Sequence, residues 1–72
     1  MAAILDIKGL RKRMWKAGIT TDKELADRIG MSRIVVSRWM NGHTQPGVES
    51  LQRLAEEFEL ANIESLLVRK GK

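Results

Sequence analysis

Apolar side chains recur every three or four positions along most of the chain, which is the period of an amphipathic α-helix. Turn and capping residues divide this pattern into five segments, and we predict that each is a short helix. The predicted helices span about residues 7–17, 21–29, 33–40, 48–58 and 62–68. No alternation of period two is long enough to predict a strand. The expected fold class is therefore all-α, with five short helices and no sheet.

The ends of the predicted helices carry residues that start or stop a helix. The expected N-caps are Asp6, Thr21, Ser32 and Asn62. Thr21 and Glu24 match a capping box, in which the hydroxyl and the carboxylate satisfy each other's backbone N–H groups. Gly18 and Gly30 fit the left-handed position just past a helix end, and Asn41-Gly42 is a stop signal.

The apolar stripes identify the side chains expected in the core. They are Ile7, Leu10, Met14, Ala17, Leu25, Ala26, Ile29, Val36, Trp39, Val48, Leu51, Leu54, Ala55, Phe58, Ile63, Leu66 and Leu67. Trp15 lies next to the stripe of the first helix rather than on it. The pattern leaves two readings of Trp15 open, a half-buried side chain or part of an interface.

The second and third predicted helices are joined by the turn Gly30-Met31-Ser32. Glycine adopts a positive φ without penalty, so Gly30 lets the chain turn sharply, while Met31 can fill the angle between the helices. Two short helices joined by three or four residues that include glycine form a helix-turn-helix. In that arrangement the first helix crosses the phosphate backbone of DNA and the second lies in the major groove.

The ordered motifs of residues 21–42 resemble the helix-turn-helix of the phage repressor and Cro family. The matching motifs are Leu25-Ala26, Gly30-x-Ser32, Val36-Ser37-Arg38-Trp39 and Asn41-Gly42-x-x-x-Pro46, with Leu10-Arg11 and residues 51–55 outside them. The resemblance covers roughly residues 7–67. It implies a lambda-repressor-like domain of five helices that binds specific DNA sequences, usually as a dimer, in a phage or prokaryotic regulator.

Three positions depart from that family's pattern. Asp22 stands where members often have a glutamine that touches a phosphate. Because a carboxylate beside a phosphate is unfavourable, we expect Asp22 to point away or to serve only the helix dipole. The connection of residues 18–21 is one residue longer than the common form. Glu59 replaces the usual glycine after the fourth helix, so the resemblance leaves the corner between the fourth and fifth helices open but not the DNA-reading unit.

Helical geometry divides the third helix, about residues 33–40, into a core face and a DNA face. Val36 and Trp39 are expected inside, with Val35 at the boundary. The residues expected to read bases are Arg33, Ile34, Ser37 and Arg38. Arg33 lies in the first turn, where the family's base-reading residue lies, and arginine suits bidentate contact with guanine. Ile34 is expected to touch a thymine methyl or to pack under the second helix, and Arg38 to reach a base or a phosphate.

Hydroxyl, amide and backbone N–H donors beside that helix are expected to contact phosphates. The candidates are Thr21, Ser32, Asn41, His43, Thr44 and Gln45. Thr21 and Ser32 are also needed as caps, and Asn41 has the alternative role of a left-handed turn residue. His43 is the only histidine of the chain, and we expect a loop residue near phosphate rather than a catalyst.

Composition narrows the function classes further. The 72 residues carry a net charge of +4 and no cysteine, which indicates one domain without disulfides; its core covers about residues 7–67 and a basic tail residues 69–72. Basic side chains concentrate in residues 6–18 and acidic ones in 49–64, an asymmetry that can orient the chain on a polyanion. No catalytic constellation is visible, so we expect no enzyme, cofactor or metal. Without a membrane-length apolar run or a signal peptide, a cytoplasmic, nucleoid-associated location is expected.

The expected function is that of a sequence-specific transcriptional regulator, a repressor that blocks an operator in double-stranded DNA. One helix in one major groove sees few base pairs, so we expect a homodimer on a palindromic operator, with half-sites about 34 Å apart. The expected dimer surface is the fifth helix, through Leu66, Leu67 and Val68; otherwise Leu66 caps the core and the rest frays. The alternative function is an antitoxin-type module that holds a protein partner as well as DNA.

Overall fold

The computed structural model describes residues 3–69 of the chain. Its elements, in chain order, are β1 (Ala3–Leu5), α1 (Ile7–Lys16), α2 (Asp22–Ile29), α3 (Arg33–Met40), α4 (Val48–Glu57), a 3₁₀ turn (Ile63–Leu66) and β2 (Leu67–Arg69). The first four predicted helices are confirmed, with ends that differ from the prediction by one residue at most. Of the predicted basic tail, only Arg69 lies within the described residues, and residues 70–72 lie outside them.

Side-chain caps explain why three of the helices begin where they do. Asp6 accepts a hydrogen bond from the Gly9 backbone N–H at 3.0 Å, and Thr21 Oγ1 accepts from that of Glu24 at 3.1 Å. Ser32 Oγ accepts from the Ile34 backbone N–H at 3.2 Å. These bonds satisfy donors that a helix start leaves without partners, which confirms the three predicted caps.

The domain is mostly helical, as predicted, but the predictions of a fifth helix and of the absence of a sheet were wrong. Residues 63–66 form one 3₁₀ turn, for which Asn62 provides no side-chain cap, and residues 67–69 are extended. Strand β2 pairs antiparallel with β1, with Leu5 opposite Leu67 and Ala3 opposite Arg69. Leu5 and Leu66 are both buried in the core, and the Asp6 backbone N–H donates to the Leu66 carbonyl at 2.8 Å. Because these contacts hold residues 3–5 beside residues 67–69, the two segments pair as antiparallel strands.

The core is apolar throughout the described residues, which bury no polar or charged side chain. Its largest fully buried side chains are Leu10, Ile19, Leu25, Val36, Leu54 and Leu66, drawn from every helix, the connection after α1 and the 3₁₀ turn. Three predicted positions differ from expectation. Ala17 is exposed, Val48 is 63% exposed, and Trp15 is 78% exposed, so a half-buried Trp15 was wrong. Ala17 caps the end of α1 and Val48 opens α4, and helix ends reach beyond the core.

All four helices end in the same hydrogen-bonded turn. In each, a backbone N–H beyond the helix donates to a carbonyl five residues earlier, as Ile19 does to Met14 at 2.8 Å. The matching bonds run from Met31 to Ala26, His43 to Arg38 and Leu60 to Ala55. The residue just before each donor has a positive φ, and it is glycine three times, at Gly18, Gly30 and Gly42. At the end of α4 it is Glu59, with φ 56°.

Glu59→Gly is expected to stabilise the domain. A left-handed conformation costs a residue with a side chain roughly 1–2 kcal/mol, which exceeds the entropy that glycine loses on folding. We expect the free energy of unfolding to rise by about 0.5–1 kcal/mol and Tm by a few degrees. Urea denaturation and a thermal melt followed by circular dichroism measure both.

Glu59→Ala is the matched control, because it removes the same carboxylate but keeps the Cβ that causes the strain. If Glu59→Gly and Glu59→Ala have the same free energy of unfolding, the destabilisation by Glu59 comes from its charge and not from its backbone conformation.

Candidate DNA-binding surface

Helices α2 and α3 pack against each other across the turn of residues 30–32. Leu25, Ala26 and Ile29 of α2 are buried together with Val36 and Trp39 of α3. Gly30 has φ 70°, and the half-buried Met31 packs against this cluster, as the sequence predicted. The two helices therefore form a helix-turn-helix whose geometry is set by burial on both sides of the turn.

Arg53 of α4 supports this turn from outside the motif. Its Nη1 donates to the carbonyl oxygens of Ile29 at 3.1 Å and Gly30 at 3.4 Å, while its Nη2 lies 3.5 Å from the Glu49 carboxylate. A cation suits the carbonyls that the end of α2 leaves without partners. Sequence reasoning missed this contact because Arg53 lies more than twenty positions away, on another helix.

Helix α3 presents two distinct faces, as predicted. Val36, Trp39 and Met40 are buried at 0–4% exposure, while Ile34 is 62% exposed and Val35, at the boundary, 38%. Arg33 and Arg38 are exposed and Ser37 is half-buried. Since Ile34 lies mostly in solvent, packing under α2 does not bury it.

A surface groove runs between the start of α2 and the outer face of α3, and we call it the reading groove. Its lining residues are Thr21, Asp22, Lys23, Arg33, Ile34, Ser37 and Arg38. All four predicted base-reading residues line it, together with one predicted phosphate contact, Thr21. Within residues 3–69 neither Arg33 nor Arg38 forms an ion pair, so both guanidinium groups are available to a ligand.

Asp22 lines the reading groove, and its place in the first turn of α2 also suits the expected role at the positive end of the helix dipole. It is the first residue of α2 and is half-buried beside the exposed face of α3. Its position follows from the packing of α2 on α3, which turns the start of α2 toward the same side as Arg33. Lys23, which sequence reasoning did not select, lines the groove as well and pairs with Asp27 at 3.2 Å.

The other predicted phosphate contacts lie outside the reading groove, and the side chains of some of them form hydrogen bonds within the protein. Asn41 Nδ2 donates to Ser37 Oγ at 3.3 Å. Asn41 has φ −94°, so its alternative role as a left-handed residue was wrong, and Gly42 takes that position. Ser32 Oγ serves as the cap of α3, which leaves its hydroxyl hydrogen to donate.

The loop of residues 41–47 folds back on the end of α3. His43 and Thr44 are exposed, and their backbone N–H groups donate to the Arg38 carbonyl at 2.9 and 3.4 Å. Gln45 Oε1 accepts from the Leu5 backbone N–H at 2.9 Å, a contact with β1 that no sequence signal indicates. The Gln45 amide therefore ties the loop to the sheet, and its Nε2 retains donors for a further contact.

Glu24 fixes the chain just before α2, in a variant of the predicted capping box. Its carboxylate accepts from the backbone N–H of Thr20 at 2.8 Å and from the Thr20 hydroxyl at 2.9 Å, one residue earlier than expected. Hydrogen bonds from the Thr20 backbone N–H and hydroxyl, and then from Thr21, hold the pKa of Glu24 below its usual value.

Comparison with known proteins agrees with this geometry. A family model described as Helix-turn-helix matches residues 7–61, well over half of the chain. No curated protein and no solved structure matches. Among residues 3–69, no group of three or more acidic or histidine side chains is placed to hold a metal ion, and no helix has the length and apolar character to cross a bilayer.

Glu24→Gln is expected to flatten the acid dependence of stability. Because the folded pKa of Glu24 lies below its ordinary value, its contribution is complete above that value and is lost as the pH falls through the folded pKa. The free energy of unfolding of the wild type is therefore expected to fall more steeply than that of the variant between about pH 6 and about pH 3. Urea titrations at intervals across that range measure it.

Glu64→Gln serves as the control, since it removes an exposed carboxylate from the 3₁₀ turn and leaves the α2 cap intact. Parallel pH curves for the wild type and Glu24→Gln would contradict the role given to this cap.

Proposed function

The chain belongs to the Cro-type, lambda-repressor-like helix-turn-helix family, and we propose that it is a transcriptional repressor that reads an operator with the reading groove. A helix-turn-helix domain of this family binds DNA in a sequence-specific manner and regulates transcription.

The observation that carries the proposal is that the exposed face of α3 holds two guanidinium groups, neither with an ion-pair partner among residues 3–69. Arg33 lies in the first turn of α3, the part of a recognition helix that meets base edges. Arginine donates two parallel hydrogen bonds to guanine O6 and N7, so Arg33 is assigned to a guanine. Ile34 beside it offers a methyl surface to thymine, and Ser37 and Arg38 extend the contact along the helix.

Phosphate contacts are assigned to both sides of this face. The Thr21 hydroxyl lies at one edge of the groove, and Ser32 lies at the start of α3. Asn41, His43, Thr44 and the Nε2 of Gln45 supply donors from the loop after α3. These contacts position the helix without reading sequence, and cations on α1 add long-range attraction.

In the simplest mechanism, the domain represses transcription by occupying its operator. A domain of radius of gyration 11.3 Å that fills the major groove of an operator excludes polymerase or another regulator from the same DNA. No catalytic step or cofactor is needed for this effect.

A homodimer on palindromic DNA is the second part of the proposal, with a surface that differs from the predicted helix. Leu66 is 1% exposed, so its assignment to an interface was wrong, because it fills the monomer core. Val68 of β2 is 41% exposed and Leu67 is half-buried. We assign the contact to this outer part of β2, where two copies bury apolar surface that one copy leaves in water.

Arg33→Ala is expected to weaken binding to the selected operator by about 1–3 kcal/mol and to relax the preference at one base pair. The operator comes from selection of bound sites from random duplexes, and fluorescence anisotropy then measures the affinities of both proteins. Unchanged affinity and preference would contradict the assignment of Arg33.

Arg11→Ala is the charge-matched control, because Arg11 is exposed on α1 and lies outside the reading groove. It is expected to weaken the selected and random duplexes alike, leaving the preference intact, since a distant cation acts through the phosphate charge alone.

Val68→Asp is expected to reduce cooperative occupation of a palindromic site while leaving binding to a single half-site within about twofold, because like charges would meet at the two-fold axis. Gel-shift titrations on full and half sites give the ratio. Val48→Asp changes another exposed valine, on α4, and controls for the added charge. Equal cooperativity in the wild type and Val68→Asp would rule out a dimer through β2.

A further inference from the structure

The reading groove contains a carboxylate as well as its cations. Asp22 lines it together with Arg33 and Arg38, and within residues 3–69 the Asp22 side chain has no ion pair and no side-chain hydrogen bond. The nearby acids of α2 have partners, since Glu24 holds Thr20 and Asp27 pairs with Lys23. Asp22 is therefore the acid of α2 that a bound duplex can engage.

The place of Asp22 decides what it does to phosphates. A helix N-terminus attracts a phosphate through its free N–H groups and the positive end of its dipole. Asp22 is the first residue of α2, so its negative charge lies beside the helix terminus that attracts a phosphate. In any complex that rests only on the DNA backbone, this carboxylate opposes binding.

Base edges, unlike phosphates, offer the donors that a carboxylate needs. Cytosine N4 and adenine N6 carry amino groups in the major groove, whereas the guanine acceptors suit arginine. A groove with two guanidinium groups and one carboxylate is thus complementary to a base sequence that presents acceptors and one amino group.

We propose that Asp22 is a specificity-determining residue: its carboxylate accepts a hydrogen bond from an amino group of cytosine or adenine in the operator, and this bond offsets the repulsion that the same charge exerts on the phosphates of any duplex. This inference rests on the proposed function of the reading groove. It gives Asp22 two effects of opposite sign, because the same charge strengthens one complex and weakens the rest.

Two variants separate these effects. Asp22→Ala removes both the charge and the acceptor, so it is expected to weaken binding to the selected operator by about tenfold while tightening binding to random duplex several-fold. Asp22→Asn keeps an acceptor oxygen and removes the charge, so it is expected to tighten random binding as much but to retain most operator affinity. Glu56→Gln, on the exposed side of α4, controls for net charge and is expected to change both duplexes equally.

The measurements are competition titrations on the selected operator and on a random duplex at several salt concentrations. Relief of the repulsion also predicts a steeper salt dependence for Asp22→Asn on random duplex, by up to about 0.9 in the slope of log K against log salt. A change confined to folding would alter neither the slope nor the ratio of the two affinities, and thermal melts of the variants report folding directly.

Three outcomes would overturn the inference. If Asp22→Ala tightens binding to both duplexes equally, Asp22 repels phosphates but contacts no base. If the variant binds both duplexes as the wild type does, Asp22 lies outside the interface. If it weakens binding to both equally, its role is structural. A wild-type chain that binds selected and random duplexes alike overturns the proposed function itself, whereas a wild-type preference that Asp22→Ala retains overturns this inference alone.

Discussion

The burial of one side of α3 is the constraint on which the surface of this domain depends. Val36, Trp39 and Met40 lie in the core, and an eight-residue helix fixed on one side has no freedom to rotate about its axis. Arg33 and Ile34 are exposed as a consequence. The positions of Arg33 and Ile34 are thus set by apolar packing on the opposite face, and the packing of α2 and the Arg53 contact fix the angle at which α3 leaves the turn.

Short helices need more than one such constraint. Helices of eight to ten residues are marginal in water, so their ends matter as much as their cores. Here three side-chain caps start α1, α2 and α3, and one repeated turn ends all four helices. The turn needs a left-handed residue, which glycine supplies at low cost at three ends, and Glu59 occupies the fourth at the expense of stability.

The reading groove combines charges that a simple attraction for DNA would not require. The guanidinium groups of Arg33 and Arg38, which have no ion-pair partner among residues 3–69, attract a polyanion, and the Asp22 carboxylate at the start of α2 opposes that attraction. Attraction alone favours every duplex equally, since phosphates carry no sequence information. In the role we propose for Asp22, the groove gains its full binding energy only where base edges match both signs, and the packing of α2 on α3 then contributes to discrimination between DNA sequences.

The sequence by itself determined the four helices, three of their caps, the turn between α2 and α3, and the exposed face of α3, because periodicity and capping are local properties of neighbouring residues. Contacts between distant residues decided the rest. The pairing of β1 with β2 depends on Leu5 and Leu66 meeting in the core, and three-residue strands leave no periodic signal. The Gln45 bond to Leu5, the Arg53 bond to the α2 terminus and the entry of Asp22 into the groove likewise join residues through packing, which no spacing along the chain encodes.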